Sequence, residues 1–202
     1  NMAFLLLQNK NNIDGSLYSL LLQRVSELQT LKRHALVDID KFDGDTLDFK
    51  EEDVIDVAKN IIKIYNAKVD KLARNYDIVP EYITNLKLQK LLYFVQAICL
   101  MVFGKKAFSE KILAWSYGPV VNEVYQKYKQ NHDGEIKSEI NVKKLSSGLN
   151  QIILEVVNSY GSMEAGRLID FTHEEDPWLK TKLNEEIDID LIRKYFNKVY
   201  DN

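Results

Sequence analysis

The sequence is poor in residues that break a helix or cross-link a chain. Only eight Gly and three Pro occur among 202 residues, so long stretches run without a backbone breaker. Cys99 is the only cysteine, which rules out an intrachain disulfide and is typical of proteins in a reducing compartment. We therefore expect a mainly α fold and a cytoplasmic location.

The sequence also lacks a long apolar run and an excess of positive charge. The apolar stretch Tyr93–Phe103 is shorter than the roughly 20 residues that cross a bilayer. No basic residue precedes the apolar start Ala3–Leu7, so we expect no secretory signal peptide. The net charge is −3, whereas a general nucleic-acid binder needs a cationic surface. These features argue against membrane and nucleic-acid partners.

The charge that is present is distributed unevenly. Residues 81–160 carry ten Lys and Arg against seven acids, whereas residues 161–202 carry six against ten. A mildly basic middle and an acidic end are compatible with a protein partner of matching charge.

Apolar residues recur with helical spacing along most of the chain. The third predicted helix is apolar on nearly every face from Tyr93 onward except at Gln96, so it must be covered on all sides. The stretch Phe108–Tyr117 is ambiguous between a short strand and a short helix. The sequence thus predicts a compact helical domain with a central buried helix and at most a short β element. The predicted helices span about 17–35, 51–76, 84–103, 119–132, 147–160 and 162–171, and a last one starts at 188.

The first predicted helix stands apart from the rest as an N-terminal arm. An acidic stretch at 38–45 separates it from a helix whose start Asp48 and Glu51 mark as a capping box. We expect an extension at 1–50, which serves partner choice or homodimerisation, and a main domain at 51–202. The leucine face of the arm must be covered by the chain's own core, a second copy or a partner protein.

No pattern in the sequence assembles a catalytic or metal site. With Asp40 as the first position of a calcium loop, Phe42 and Gly44 fall where oxygen ligands belong. The run His173-Glu-Glu-Asp176 could hold a metal ion, but acids before Pro177 have an N-capping explanation. We therefore expect no catalytic residue, metal ligand or cofactor, and a metal-dependent hydrolase centred on His173 stays an alternative.

Two segments are candidates for binding another protein. Lys87 and Lys90 lie three apart on one predicted helix, and aromatic residues surround the Gly118-Pro119 pair. Core packing explains part of this pattern. The functional interpretation is a binding surface, because Trp and Tyr bury a large area at low entropic cost. This predicted rim consists of Lys87, Lys90, Tyr93, Trp115, Tyr117, Gly118, Pro119, Tyr125, His173 and Trp178.

The same segments carry a family resemblance. The runs Ile83-Thr-Asn-Leu-Lys-Leu-Gln-Lys-Leu-Leu-Tyr-Phe94, Ala114-Trp-Ser-Tyr-Gly-Pro-Val-Val121 and Thr172-His-Glu-Glu-Asp-Pro-Trp178 closely resemble the Panacea antitoxin domain, also called SocA-like. The resemblance extends over about 53–200. One departure is the joint Ile61–Tyr82, which is longer than in the family.

The resemblance implies an antitoxin of a bacterial or prophage toxin–antitoxin module. Such a protein neutralises a cognate toxin by direct protein–protein binding, or acts as an adaptor that delivers the toxin to a protease. A DNA-binding regulator that controls its own operon through the arm is an alternative from another class. The thirteen acids against eleven bases in residues 1–80 argue against that alternative.

Overall fold

The computed structural model describes residues 37–42, 47–131, 134–137 and 141–200. Helices dominate this part of the chain, so the prediction of a mainly α fold with a short β element is confirmed. The predicted arm at 17–35 lies outside the described residues, and the division at residue 50 stays a prediction. The described elements are α1 (Val54–Tyr76), α2 (Asn85–Val102), β1 (Ile112–Trp115), β2 (Gly118–Val121), α3 (Asn122–Tyr128), α4 (Ser147–Tyr160), α5 (Ala165–His173), α6 (Asp176–Leu179) and α7 (Ile189–Tyr200).

Helix α1 begins later than the sequence pattern predicts. The predicted capping box at Asp48 and Glu51 is wrong, because the carboxylate of Asp53 accepts a hydrogen bond from the backbone N–H of Ile55 at 2.8 Å and caps the helix. An acid at this position satisfies an orphan N–H group and complements the helix dipole. The helix ends at Tyr76, and the cap residue Asp77 that follows has a left-handed φ of 52°.

Helix α2 is the centre of the fold, as predicted. Thr84 caps its start, and every residue from Leu88 to Leu100 is buried. Helices α1, α4, α5 and α7 and strand β2 all contact it. The ring of Phe94 stacks on Tyr160 of α4 with a centroid distance of 4.1 Å, and Phe196 of α7 meets Phe94 edge-on at 6.4 Å. Each such aromatic side chain contributes about 2–3 kcal/mol through burial.

Gln96 connects this apolar helix to the chain that follows it. Its amide oxygen accepts a hydrogen bond from the backbone N–H of Ala107 at 2.8 Å, and its amide nitrogen donates to the carbonyl of Phe108 at 3.1 Å. A buried backbone group without a partner is costly, and Gln96 supplies that partner to both groups. The polar residue that interrupts the apolar helix therefore holds the segment that leads into the sheet.

The segment left ambiguous by the sequence contains strand β1. It pairs with β2 in an antiparallel hairpin, in which Trp115 lies opposite Gly118. A later stretch of the chain pairs with the other side of β1, because Ala114 donates its N–H to the carbonyl of Glu185 and Ile187 donates to Ile112 at 2.8 Å. These bonds bring the segment before α7 to the hairpin.

The prediction that a helix begins at Pro119 is wrong. Pro119 lies in strand β2, and helix α3 begins only at Asn122. Proline has no N–H to donate and is tolerated in an edge strand, which is the position of β2 in this small sheet. Across the described ranges, no helix is long and apolar enough to pass through a bilayer.

The role of Gln96 can be tested by removing its amide. In Gln96→Leu, the N–H of Ala107 and the carbonyl of Phe108 lose their partner, so the free energy of unfolding should fall by about 2–4 kcal/mol. The matched control is Gln126→Leu, an exposed glutamine whose replacement should change stability by at most about 0.5 kcal/mol. Urea unfolding followed by circular dichroism measures both. Equal midpoints for the two variants would contradict the assigned role.

Candidate functional site

The hairpin turn is held in a backbone conformation that requires glycine. Ser116 and Tyr117 form the tip, and Gly118, which follows them, has a φ of +92°. Side chains at such a φ are strained, which explains a glycine here. A Cβ at this position would also lie 2.6 Å from the hydroxyl oxygen of Thr172. The turn therefore packs directly on helix α5.

Lys90 lies beneath this turn. Its side chain is fully buried, and its amine donates a hydrogen bond to the carbonyl of Pro119 at 3.0 Å. Burial disfavours the charged form and lowers the pKa of Lys90 to about 7. The amine of Lys90 thus connects the backbone of β2 to the central helix by a hydrogen bond.

Two aromatic rings brace the other side of the turn. The imidazole of His173 stacks on the indole of Trp178 at a centroid distance of 3.9 Å, and the indole N–H donates to the carbonyl of Trp115 at 2.9 Å. The backbone of Ser116 lies near the imidazole of His173 and acts to raise its pKa. Burial, and secondly the positive charge of Lys90, lower the pKa of His173. The end of α5 and helix α6 therefore hold both sides of the turn.

A buried carboxyl group lies deeper in the same region. The hydroxyl of Tyr93 donates to a carboxyl oxygen of Glu175 at 2.6 Å, and both side chains are buried. Burial raises the pKa of Glu175 to about 8, although the hydrogen bond from Tyr93 opposes this shift. The expectation that the acids before Pro177 serve N-capping is wrong for Glu175, whose side chain makes no cap hydrogen bond.

A groove of about 460 Å³ opens beside the hairpin, and we call it the hairpin groove. Aromatic side chains form much of its wall, where Trp115 and Tyr125 pack edge-on with ring centroids 4.9 Å apart. Tyr117 is 67% exposed at the tip of the turn. The polar side chains that line the groove are Asn85 and Gln89 from α2 and Lys129 after α3.

The structure brings most of the predicted rim together, but not as one surface. Trp115, Tyr117 and Tyr125 line the hairpin groove, and Gly118 and Pro119 belong to the hairpin itself. Lys90 and Trp178 bind the backbone of the hairpin from other elements. Lys90 and Tyr93 are buried, so the expectation that they lie on an exposed rim is wrong. They face inward because strand β2 and helices α5 and α7 pack on α2.

Lys87 belongs to a different part of the molecule. Its amine donates to the hydroxyl of Tyr65 at 3.1 Å and to the carbonyl of Gly161 at 3.2 Å. Lys87 and Lys90 lie three apart on the central helix, but their amines bind different segments of the chain and do not form one binding surface. Lys87 instead binds the carbonyl end of helix α4, where a cation is favourable.

Several residues of the site escaped the sequence interpretation. Glu175 was assigned to helix capping, and the groove-lining roles of Asn85, Gln89 and Lys129 carried no pattern of their own. Asn85 and Gln89 lie close to Lys90 on the buried helix. The signal that could have identified them is the presence of polar side chains on a mainly apolar helix. In the described part of the chain, no three His, Cys, Asp or Glu side chains lie close enough together to hold a metal ion.

The site coincides with a region shared with known proteins. Residues 88–179 match the family model described as Antitoxin SocA-like, Panacea domain. This range contains the hairpin, its supports and most of the central helix. Residues 88–179 are thus similar to the SocA-like Panacea domain, and the family resemblance seen in the sequence is confirmed over this range.

One curated relative makes the comparison more specific. Antitoxin SocA from Caulobacter vibrioides (strain NA1000 / CB15N) is 31% identical over 109 residues. The aligned part covers 48% of this chain and 58% of the relative, so the chain spans little more than half the length of that protein. No solved structure matches the chain.

The fit of the turn predicts opposite effects for two Gly→Ala substitutions. Gly118→Ala places a methyl group against Thr172 and Lys90 at a positive φ, so it should destabilise the fold by about 1–3 kcal/mol. Gly166→Ala lies in helix α5 with no atom near its new methyl group and should stabilise by about 0.4–1 kcal/mol. Thermal unfolding compares the two. A Gly118→Ala protein as stable as the parent would contradict the packing described here.

The buried carboxyl group predicts a dependence of stability on pH. The pKa of Glu175 in the folded protein is raised to about 8 from an ordinary 4.5. Its contribution to the stability of the fold is therefore fully present below pH 4.5 and is lost as the pH rises to 8. Glu175→Gln should remove this loss. The free energy of unfolding of the variant should therefore rise relative to that of the parent by up to about 1.4 kcal/mol per pH unit in that window. Glu174→Gln, at the exposed neighbouring carboxyl, is the control.

Denaturant unfolding between pH 4.5 and pH 8.5 measures this difference. Lys90 acts in a higher window that overlaps this one between pH 7 and pH 8, because its lowered pKa gives a contribution to stability that is present above pH 10.5 and lost as the pH falls through 7. Parallel pH profiles for the parent and Glu175→Gln would show that Glu175 is ionised in the folded protein.

Proposed function

We propose that this chain is a bacterial or prophage antitoxin, acting in the cytoplasm, that neutralises a cognate protein toxin by direct binding. The observation that carries the proposal is the match of residues 88–179 to the SocA-like Panacea domain. The name of the curated relative, Antitoxin SocA, supports the same function. Binding rather than catalysis is the proposed mode of action.

The hairpin groove is the proposed contact surface for the toxin. It combines an exposed tyrosine at the tip of the turn with Trp115 and Tyr125 in the wall. Tyr and Trp are the residue types that most often dominate binding energy at protein interfaces. A concave surface between aromatic side chains can also exclude water from the contact, which strengthens the interactions inside it.

The buried members of the predicted rim have an indirect role in this proposal. Lys90 and Trp178 bind backbone carbonyls of the hairpin, so they set the position of the aromatic side chains without touching the toxin. A rigid support reduces the entropy that the contact residues lose on binding. His173 contributes in the same way by its contact with the backbone of Ser116.

The proposal predicts that Tyr117 is needed for neutralisation. The chain is co-expressed with the product of the adjacent open reading frame, and cell growth and co-purification are measured. Tyr117→Ala should weaken binding at least tenfold and reduce rescue, because it removes an aromatic contact with the toxin. The side chain lies at the exposed tip of the turn, so its removal should leave the core unchanged. The matched control is Tyr76→Ala, a tyrosine that is 70% exposed at the end of α1.

Three results decide the outcome. Loss of rescue in Tyr117→Ala but not in Tyr76→Ala supports the hairpin groove as the contact surface. Equal behaviour of the two variants removes the groove from the interface. If the unchanged chain neither rescues growth nor co-purifies with the neighbouring product, the antitoxin proposal fails for that product. The toxin level in rescued cells separates simple inhibition, which leaves it unchanged, from delivery to a protease, which lowers it.

A further inference from the structure

The edge of the hairpin beside the groove cannot accept an additional strand. On β2, Pro119 has no N–H and its carbonyl accepts from Lys90, while the N–H of Val121 donates to the amide oxygen of Gln89 at 2.9 Å. Recognition by strand addition requires a row of open N–H and C=O groups. Side chains of the central helix already occupy these groups, so a partner must bind here through its side chains.

The polar floor of the groove offers few open acceptors. The amide oxygen of Asn85 accepts from Gln89 at 3.0 Å, and its amide nitrogen donates to the carbonyl of Tyr125 at 3.1 Å. Gln89 in turn uses its own oxygen for Val121. Both amides are therefore committed to internal bonds, and the accessible surface that remains is mainly aromatic and aliphatic. Such a surface suits an apolar or aromatic side chain of the partner.

One charge stands at the border of this apolar surface. Lys129 is exposed and is the only ionisable Lys, Arg, Asp, Glu or His among the described residues that line the groove. A positive border with no facing carboxylate in the lining is complementary to a negative group on the partner. Together with the closed strand edge and the apolar wall, it defines a specific kind of occupant.

We propose that the hairpin groove takes a toxin segment in which an apolar or aromatic anchor side chain is followed or preceded closely by a carboxylate. The inference rests on the proposed antitoxin function and adds the chemistry of the segment that is recognised. The anchor enters between Trp115, Tyr117 and Tyr125, and the carboxylate meets the amine of Lys129. The anchor side chain slows dissociation of the complex, and the charge pair speeds association of the two proteins.

This division of roles predicts different kinetics for two substitutions. Binding of the purified neighbouring gene product to the full chain is followed by surface plasmon resonance at low and at physiological salt. Lys129→Glu should slow association several-fold at low salt, with a smaller effect at physiological salt and little change in dissociation, because a charge at the border of an interface acts mainly on encounter. Tyr117→Ala should instead speed dissociation, because it removes part of the anchor pocket.

The matched control is Lys105→Glu, which makes the same change in net charge at an exposed lysine outside the groove. If both lysine variants associate at the same rate at low salt, or Lys129→Glu associates faster, the proposed carboxylate is absent and the inference is overturned. The antitoxin proposal survives either result as long as the unchanged chain binds. No binding by the unchanged chain overturns the antitoxin proposal for that product and this inference with it.

A charge reversal on the toxin completes the test. Each toxin carboxylate is changed to Lys in turn, and the variants are measured against the parent chain and Lys129→Glu. Recovery of the association rate for one toxin variant with Lys129→Glu identifies the paired carboxylate and supports the inference. If no toxin variant recovers the rate, the charge on Lys129 meets no specific partner and the inference is overturned.

Discussion

The structure depends on the need to satisfy polar side chains that are buried on the central helix. Helix α2 is covered on every side, yet four of its buried side chains are polar: Gln89, Lys90, Tyr93 and Gln96. A buried polar group without a partner costs several kcal/mol, so each of these side chains must find one. They find it mainly in the backbone of the surrounding segments. The central helix thus determines where the chain before the sheet and the hairpin itself can lie.

This constraint also connects the fold with the site. The hairpin has two strands of four residues each, and such a pair is at best marginally stable by itself. It is stable here because Lys90 and Gln89 bind β2, and Trp178 binds the last residue of β1. These contacts, which lie below the hairpin groove, therefore determine the positions of the aromatic side chains in its wall. In the proposed antitoxin, the toxin would meet a surface that is already formed.

The sequence was most informative where the spacing of apolar residues carried the signal. Apolar spacing predicted helix α4 at residues 147–160, and the continuous apolar run predicted the buried centre of α2. It failed where a distant partner decides the outcome. Pro119 looks like a helix start in isolation, but the pairing of β1 with β2 places it in a strand. Lys90 looks like an exposed base, but its side chain is buried and its amine binds the carbonyl of a residue 29 positions later.

The supports of the hairpin bind main-chain atoms, and this has a consequence for how the surface can vary. The carbonyls of Trp115 and Pro119 and the N–H of Val121 are the atoms that the buried side chains hold. With the exception of proline's missing N–H, these atoms are the same for every amino acid. The outward side chains at Ser116 and Tyr117 can therefore be exchanged without release of the loop that displays them. The domain works as a fixed frame whose displayed residues are open to change, which is the relation between framework and variable loop in an immune receptor.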